Sequence, residues 1–160
     1  MTKPAAKNNV LRFLESRDIR YTHYLYDTDD GKIDAVSVAE KIGRVQEEVF
    51  KTLVTRSDGP RYYVFVVPGC CELDLKKAAK AAGEKSVEML PSKELLPLTG
   101  YIHGGCSPIG MKKLFPTFVD ETAQLYDTIC VSAGRVGENL SVNPDELLAA
   151  ISANYADLTR

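Results

Sequence analysis

The stretch His103-Gly104-Gly105-Cys106-Ser107-Pro108-Ile109-Gly110 holds the chain's densest grouping of residues suited to chemistry. Paired glycines let backbone approach a ligand closely and turn N–H groups toward it, while Pro108 stiffens the exit. Such a loop can hold an oxyanion. The same residues also make an ordinary tight turn, and spacing alone does not choose between the two. Lys51 is the second candidate, because it interrupts the apolar run Val49-Phe50-Lys51-Thr52-Leu53-Val54. A lysine inside a hydrophobic strand costs stability unless its ammonium reaches water or a cavity, so it marks either a site or a strand face open to solvent. The third is Val131-Ser132-Ala133-Gly134-Arg135-Val136-Gly137. A strand entering this glycine-containing turn either brings a hydroxyl and backbone donors to one cavity or simply closes a hairpin.

Conventional nucleophilic catalysis has little support. The chain has only two histidines, and His23 falls in an alternating strand where a partly exposed polar residue is expected. His103 and Cys106 are close in sequence, but their spacing in a glycine turn does not enforce a thiolate pair. GxSxG, HExxH, GxxxxGK[ST] and GxGxxG patterns are all absent. The four cysteines (Cys70, Cys71, Cys106 and Cys130) include an adjacent pair that bridges only with difficulty and no CxxC spacing, which predicts reduced thiols.

The elements that must position these residues are readable from periodicity. Val10, Leu11 and Leu14 share one face of a helix expected from Pro4 to about Arg17. Tyr21 to Tyr26 alternates as a strand, and a helix starting near Asp34 ends at Gly43. Val49 to Thr55 and Tyr62 to Val67 are rich in β-branched and aromatic residues, and the SDGP segment between them predicts a central hairpin. Asp74 caps a helix reaching Ala82, and Ser86 to Leu90 returns as a short strand. Ser92 to Gly100 reads as a loop. Short strands follow at Tyr101 to His103, Thr117 to Asp120, Thr128 to Ser132 and Leu140 to Val142. The last helix has Asn143 as cap and Pro144 in its first turn, with Asp145 and Glu146 at the positive end of its dipole. Strands and helices mix without a regular βαβ beat, which predicts an α+β fold and argues against a doubly wound nucleotide-binding sheet.

A chain of 160 residues with 44% hydrophobic and 26% charged residues suits one globular domain over residues 1–160. No repeat or low-complexity linker divides it. No segment reaches membrane-spanning length and the N-terminus has no signal-peptide core, so a cytoplasmic location is expected. Net charge is -2, so any contact with nucleic acid must be local. The basic concentration is Lys76, Lys77, Lys80 and Lys85, with Lys112, Lys113 and Arg135 further on; these form either a patch or a solvated helix face with scattered surface cations.

Taken together, Phe50-Lys51-Thr52-Leu53, Asp74-Leu75-Lys76-Lys77-Ala78-Ala79-Lys80, Gly100-Tyr101 leading into GGCSPIG with Lys112-Lys113, and Val131-Ser132 with its turn resemble the YbaK family of Cys-tRNA(Pro) deacylases. The blocks keep the family's order over nearly the whole chain. The resemblance implies a curved, mixed, barrel-like sheet flanked by helices, a domain also used as the editing insertion of bacterial prolyl-tRNA synthetases. It implies hydrolytic release of a small amino acid from the 3′ end of mischarged tRNA(Pro), without metal or organic cofactor and with prolyl-tRNA synthetase as a partner. The family's lysine and GGxSP loop map onto Lys51 and onto Gly104, Gly105, Ser107 and Pro108. Lys51, Gly104 and Gly105 take catalytic roles, and Ser107 and Pro108 bind substrate; Tyr26 and Ser132 match neighbouring pocket positions. Cys106 fills a variable slot in that loop where related sequences often carry an aliphatic residue.

The resemblance also implies a mechanism in which a cysteinyl ester supplies its own thiol, the enzyme contributing geometry and charge stabilisation. An Ala-tRNA(Pro) deacylase that activates water and a non-catalytic module that captures the acceptor end or the synthetase are the competing readings. Comparing alanyl with cysteinyl substrates separates the first, and binding without turnover identifies the second.

Overall fold

A computed structural model describes residues 8–160. In chain order the elements begin with helix α1 (Asn9–Ser16), strand β1 (Tyr21–Leu25), helix α2 (Ala35–Ile42), and strands β2 (Phe50–Ser57) and β3 (Tyr62–Pro68). Helix α3 (Leu75–Ala82), strand β4 (Val87–Met89), helix α4 (Ser92–Thr99) and strand β5 (Thr117–Asp120) follow. Strands β6 (Ile129–Ser132) and β7 (Glu138–Val142), helix α5 (Pro144–Ile151) and strand β8 (Asn154–Ala156) complete the chain. The part of the expected first helix from Pro4 to Lys7 lies outside the described residues.

The predicted hairpin is the centre of the molecule. Strands β2 and β3 pair antiparallel from Phe50 opposite Pro68 to Arg56 opposite Tyr62. They sit inside a five-stranded mixed sheet of order β4-β2-β3-β5-β8, in which β5 runs parallel to β3 and β8 parallel to β5. One face of this sheet, through Val54, Val64, Val66 and Val119, packs into a core with Leu14 of α1, Val131, Leu140 and Leu147. The opposite face, through Phe65 and Val67, packs on Ala78 and Ala79 of α3 and on Leu158. Burial on both faces explains why Tyr62 to Val67 reads as a continuous apolar run and not as an alternating one.

Strands β1, β7 and β6 form a separate three-stranded antiparallel sheet. The α+β class and the mixed sheet agree with expectation. The barrel-like part of that expectation does not hold. Among the described residues the two sheets share a core but are joined in backbone pairing by a single bridge between Val49 and Cys130, and β4 and β8 remain edges. A barrel needs a ladder that continues around the whole sheet in one register, and here it stops at β2, whose second half alone, Thr55–Ser57, pairs with β4.

Local chemistry accounts for the well-read boundaries. Asp34, Asp74 and Asn143 each accept a backbone N–H of the helix they open, at 3.1, 2.9 and 3.0 Å. Two segments depart from expectation. Ser92–Thr99 is a helix, hidden in the sequence because Pro97 breaks the helical pattern. Tyr101 to His103 is a turn and not a strand, closed by the Gly105 N–H donating to the Ile102 carbonyl at 3.0 Å. Strand β8 gave no sequence signal, because Asn154, Tyr155 and Ala156 include no β-branched residue.

Candidate functional site

The open edge of β2 forms one wall of a cavity of about 250 Å³. Lys51, Thr52 and Leu53 line it from the strand, Ile33 to Ala35 from the start of α2, and His103, Gly104 and Cys106 from the loop after α4. Tyr26, Ser132 and Asn139 close it from the three-stranded sheet and its flanks. The tertiary fold thus brings Tyr26, Lys51, Gly104 and Ser132, four residues far apart in sequence, to one concave surface. The volume lies just below the range of roughly 300–1,000 Å³ typical of drug-sized ligands and suits a small group.

Lys51 is half-buried, and its Nζ donates to the Gly69 carbonyl at 3.4 Å. Gly69 itself has no room for a side chain, because a Cβ there would lie 1.9 Å from the Cβ of Ala35. That close approach lets the start of α2 close over the end of β3 and form the cavity wall.

Within the glycine loop the residues divide by role. Gly104 adopts a φ of 87°, and the N–H groups of Gly104 and Cys106 make no hydrogen bond among the described residues. The Gly105 N–H is occupied by Ile102, and a Cβ on Gly105 would sit 3.0 Å from the Val136 nitrogen. Gly105, Ser107 and Pro108 do not line the cavity. Ser107 is fully buried, and its Oγ accepts the Ile109 N–H at 3.2 Å. Gly105 seats the loop against the β6–β7 turn, Ser107 and Pro108 are buried within the loop, and Gly104 lines the cavity.

Two residues that sequence reasoning missed carry the strongest polar signal. Thr52 Oγ1 and Asn139 Oδ1 are buried, have no hydrogen-bond partner among the described residues, and belong to cavity-lining side chains. Unmatched buried acceptors are uncommon and costly, so these two oxygens take their donors from what fills the cavity, water or a ligand. Thr52 had a signal in its place beside Lys51. Asn139 had none, because an asparagine just before an apolar strand reads as a turn residue.

The thiols and histidines give no nucleophile–base pair. Cys106 is 8% exposed and its thiol is pushed up to about 12 by burial. It makes no hydrogen bond with His103 among the described residues. His23 instead contacts Glu138 at 2.9 Å. Cys130 is likewise buried, its thiol raised to about 11. Cys70 and Cys71 are unbridged, with sulfurs 3.9 Å apart. No group of three or more His, Cys, Asp or Glu side chains suited to a metal occurs among the described residues. Lys76, Lys77 and Lys80 lie on α3, and these three do not line the cavity.

The model of the aminoacyl-tRNA editing domain family matches residues 31–150, a span that includes every cavity wall except Tyr26. The chain belongs to the aminoacyl-tRNA editing domain family. This editing domain is 45% identical over 157 residues to the Enterococcus faecalis protein named "Putative Cys-tRNA(Pro)/Cys-tRNA(Cys) deacylase EbsC", covering 98% of this chain and 96% of the relative. It also matches 17% of a proline–tRNA ligase from Shouchella clausii, with 28% identity over 99 residues and 62% of this chain. Among solved structures, a "putative trans-editing enzyme for prolyl tRNA synthetase" superposes with a TM-score of 0.80 at 26% identity, covering 97% of this chain and 99% of the other. Among the described residues of this editing domain, no helix is long and apolar enough to cross a membrane.

Proposed function

We propose that this protein is a trans-editing deacylase that releases cysteine mischarged onto tRNA(Pro), acting as one domain over residues 1–160. The observation that carries this reading is a small cavity that offers free loop N–H groups, a lysine and two unmatched acceptors, yet no activated nucleophile at its wall. Such a site stabilises charge and orients its substrate; the attacking group comes from elsewhere. A cysteinyl ester brings one. Its sulfur bonds to its own carbonyl carbon, the C–O bond to the ribose breaks, and the thiol proton passes to the departing ribose oxygen. The cyclic thioester left behind is then opened by water.

In this reading the Gly104 N–H faces the developing oxyanion, and Gly105 serves by lacking a side chain so that the loop seats correctly. Lys51 supports the ribose or phosphate end. Thr52 Oγ1 and Asn139 Oδ1 accept from the substrate's α-ammonium, with Tyr26 and Ser132 completing the walls. Ser107 and Pro108 bind indirectly, by fixing the loop. The likeness to a segment of a proline–tRNA ligase supports prolyl-tRNA synthetase as the partner that selects the tRNA, in keeping with a net charge of -2.

The test is a deacylation panel of cysteinyl, alanyl and seryl esters on tRNA(Pro), with and without the synthetase. Cysteinyl release should be fastest. A faster alanyl ester would assign the water-activating reaction instead, and binding without turnover of any ester would make the protein a capture module.

A further inference from the structure

A second cavity, of about 480 Å³, lies against the same two loops that wall the first. Its lining includes Asn8, Arg12, Gly100, Tyr101, Lys112 and Arg135, and no carboxylate lines it. Three cations from distant parts of the sequence therefore converge on one concavity in a chain that is acidic overall. Arg12 and Lys112 make no ion pair among the described residues, and Arg135 shares a carboxylate that a second partner already engages. The Arg12 guanidinium has no partner among the described residues, and Lys112 Nζ reaches only the Pro97 carbonyl at 3.5 Å. Arg135 Nη1 lies 3.6 Å from Glu138 Oε2, on a carboxylate whose other oxygen is taken by His23 at 2.9 Å. The backbone N–H groups of Asn9 and Val10, which open α1 beside this cavity, also have no partner among the described residues. Positive side chains, free N–H groups and the positive end of a helix dipole together make an environment for anionic oxygens.

Position identifies the anion. Ser132 lines the first cavity and Ala133, Gly134 and Arg135 line the second; Tyr101 lines the second and His103 the first. Two or three residues of extended chain span at most about 10 Å, so the cavities are near neighbours. An RNA strand carries a phosphate at every nucleotide, so a strand whose 3′ end enters the first cavity places its nearest phosphates within that reach. We propose that the second cavity holds backbone phosphates of the RNA strand whose aminoacylated 3′ end occupies the first. The assignment of the RNA strand rests on the editing reading above; the cationic lining does not.

Binding without catalysis provides the test. The wild type and an Arg12→Gln/Lys112→Gln variant, both altered side chains being exposed, are titrated by NMR at low ionic strength. The ligands are a short non-aminoacylated RNA ending in CCA, the same RNA with neutral methylphosphonate linkages, and inorganic phosphate. The expected result is shifts at Asn9, Val10 and Gly134 with the natural RNA. Affinity should fall about tenfold or more for the neutral backbone and for the variant. Losing two phosphate contacts should also flatten the slope of log K on log salt by about 1.4. Equal binding of the two backbones, wild-type affinity in the variant, or inorganic phosphate binding as tightly as the RNA would overturn the proposal. Backbone-dependent binding in a protein that deacylates nothing would sink the editing reading and leave this one standing.

Discussion

Lys51 is the residue whose removal separates a working site from a structural strand. Its ammonium sits at a cavity wall and not in the core, so Lys51→Ala should lower turnover by about 10²–10³-fold, the scale of losing one preorganised electrostatic group, while the thermal melt stays near that of the wild type. Lys51→Met keeps most of the stem packing and should be as inactive as the alanine variant if charge is what matters. Near-normal deacylation by a folded Lys51→Ala protein would remove it from the site. Cys106 makes the opposite case. Burial pushes its thiol up to about 12, so almost none is thiolate at neutral pH and it is a poor nucleophile. Cys106→Ala should retain substantial cysteinyl-tRNA deacylation, while a seryl ester on the same tRNA reacts much more slowly. Single-turnover measurements test both halves. An inactive but folded Cys106→Ala, or equal rates for the two esters, would move the nucleophile from substrate to enzyme or water.

At the scale of elements, the site depends on two loops packed backbone against backbone. Gly105 approaches the β6–β7 turn so closely that a Cβ would lie 3.0 Å from the Val136 nitrogen and 3.2 Å from the Arg135 carbonyl carbon. These are main-chain atoms that cannot rotate aside. Gly105→Val should therefore push the glycine loop off that turn, costing about 1–3 kcal/mol as overpacking does, and should abolish turnover through the displaced Gly104 N–H. Parallel melts and turnover assays check this, and full activity would mean that the loop is only a structural turn. The two loops also wall both cavities, so the same substitution should disturb RNA binding at the cationic cavity.

The whole molecule is held together by contacts between distant elements, several of them polar. Arg44 donates to Glu48 at 2.8 Å and to Thr128 Oγ1 at 2.9 Å, tying the region after α2 to the start of β6. Arg61, beside the central hairpin turn, donates to Glu84 just beyond α3 at 2.6 Å, and Tyr63 donates to the same carboxylate. Arg61 first and Tyr63 second hold Glu84 well below its usual 4.5, at about 2. A carboxylate depressed in the folded state stabilises that state above its unfolded value, and the contribution is lost as pH falls through the folded one. Wild-type melting temperature should therefore drop between about pH 4.5 and 2, and Glu84→Gln should flatten that part of the profile. An unchanged acid slope in the variant would show that other carboxylates set it.

The sequence by itself determined the elements whose signals are local. Asp34, Asp74 and Asn143 declare their helices because a cap needs only its own next few residues, and the central hairpin declares itself by β-branched density around a turn. The resemblance of the Lys51 and GGCSPIG blocks led to the right family for the same reason, since those residues lie in short contiguous runs. Helix α4 was concealed by Pro97 and β8 by its lack of β-branched residues. What only the tertiary structure decided was non-local. Whether the sheet closed depended on which strand lay beside the first half of β2. The open edge that resulted became the cavity. Asn139 and Thr52 emerged as candidate site residues only when burial left their oxygens unmatched, a property of surroundings that no sequence window contains. Arg12, Lys112 and Arg135 are scattered surface cations until the chain folds, because convergence of charge depends on distance in space and not along the chain.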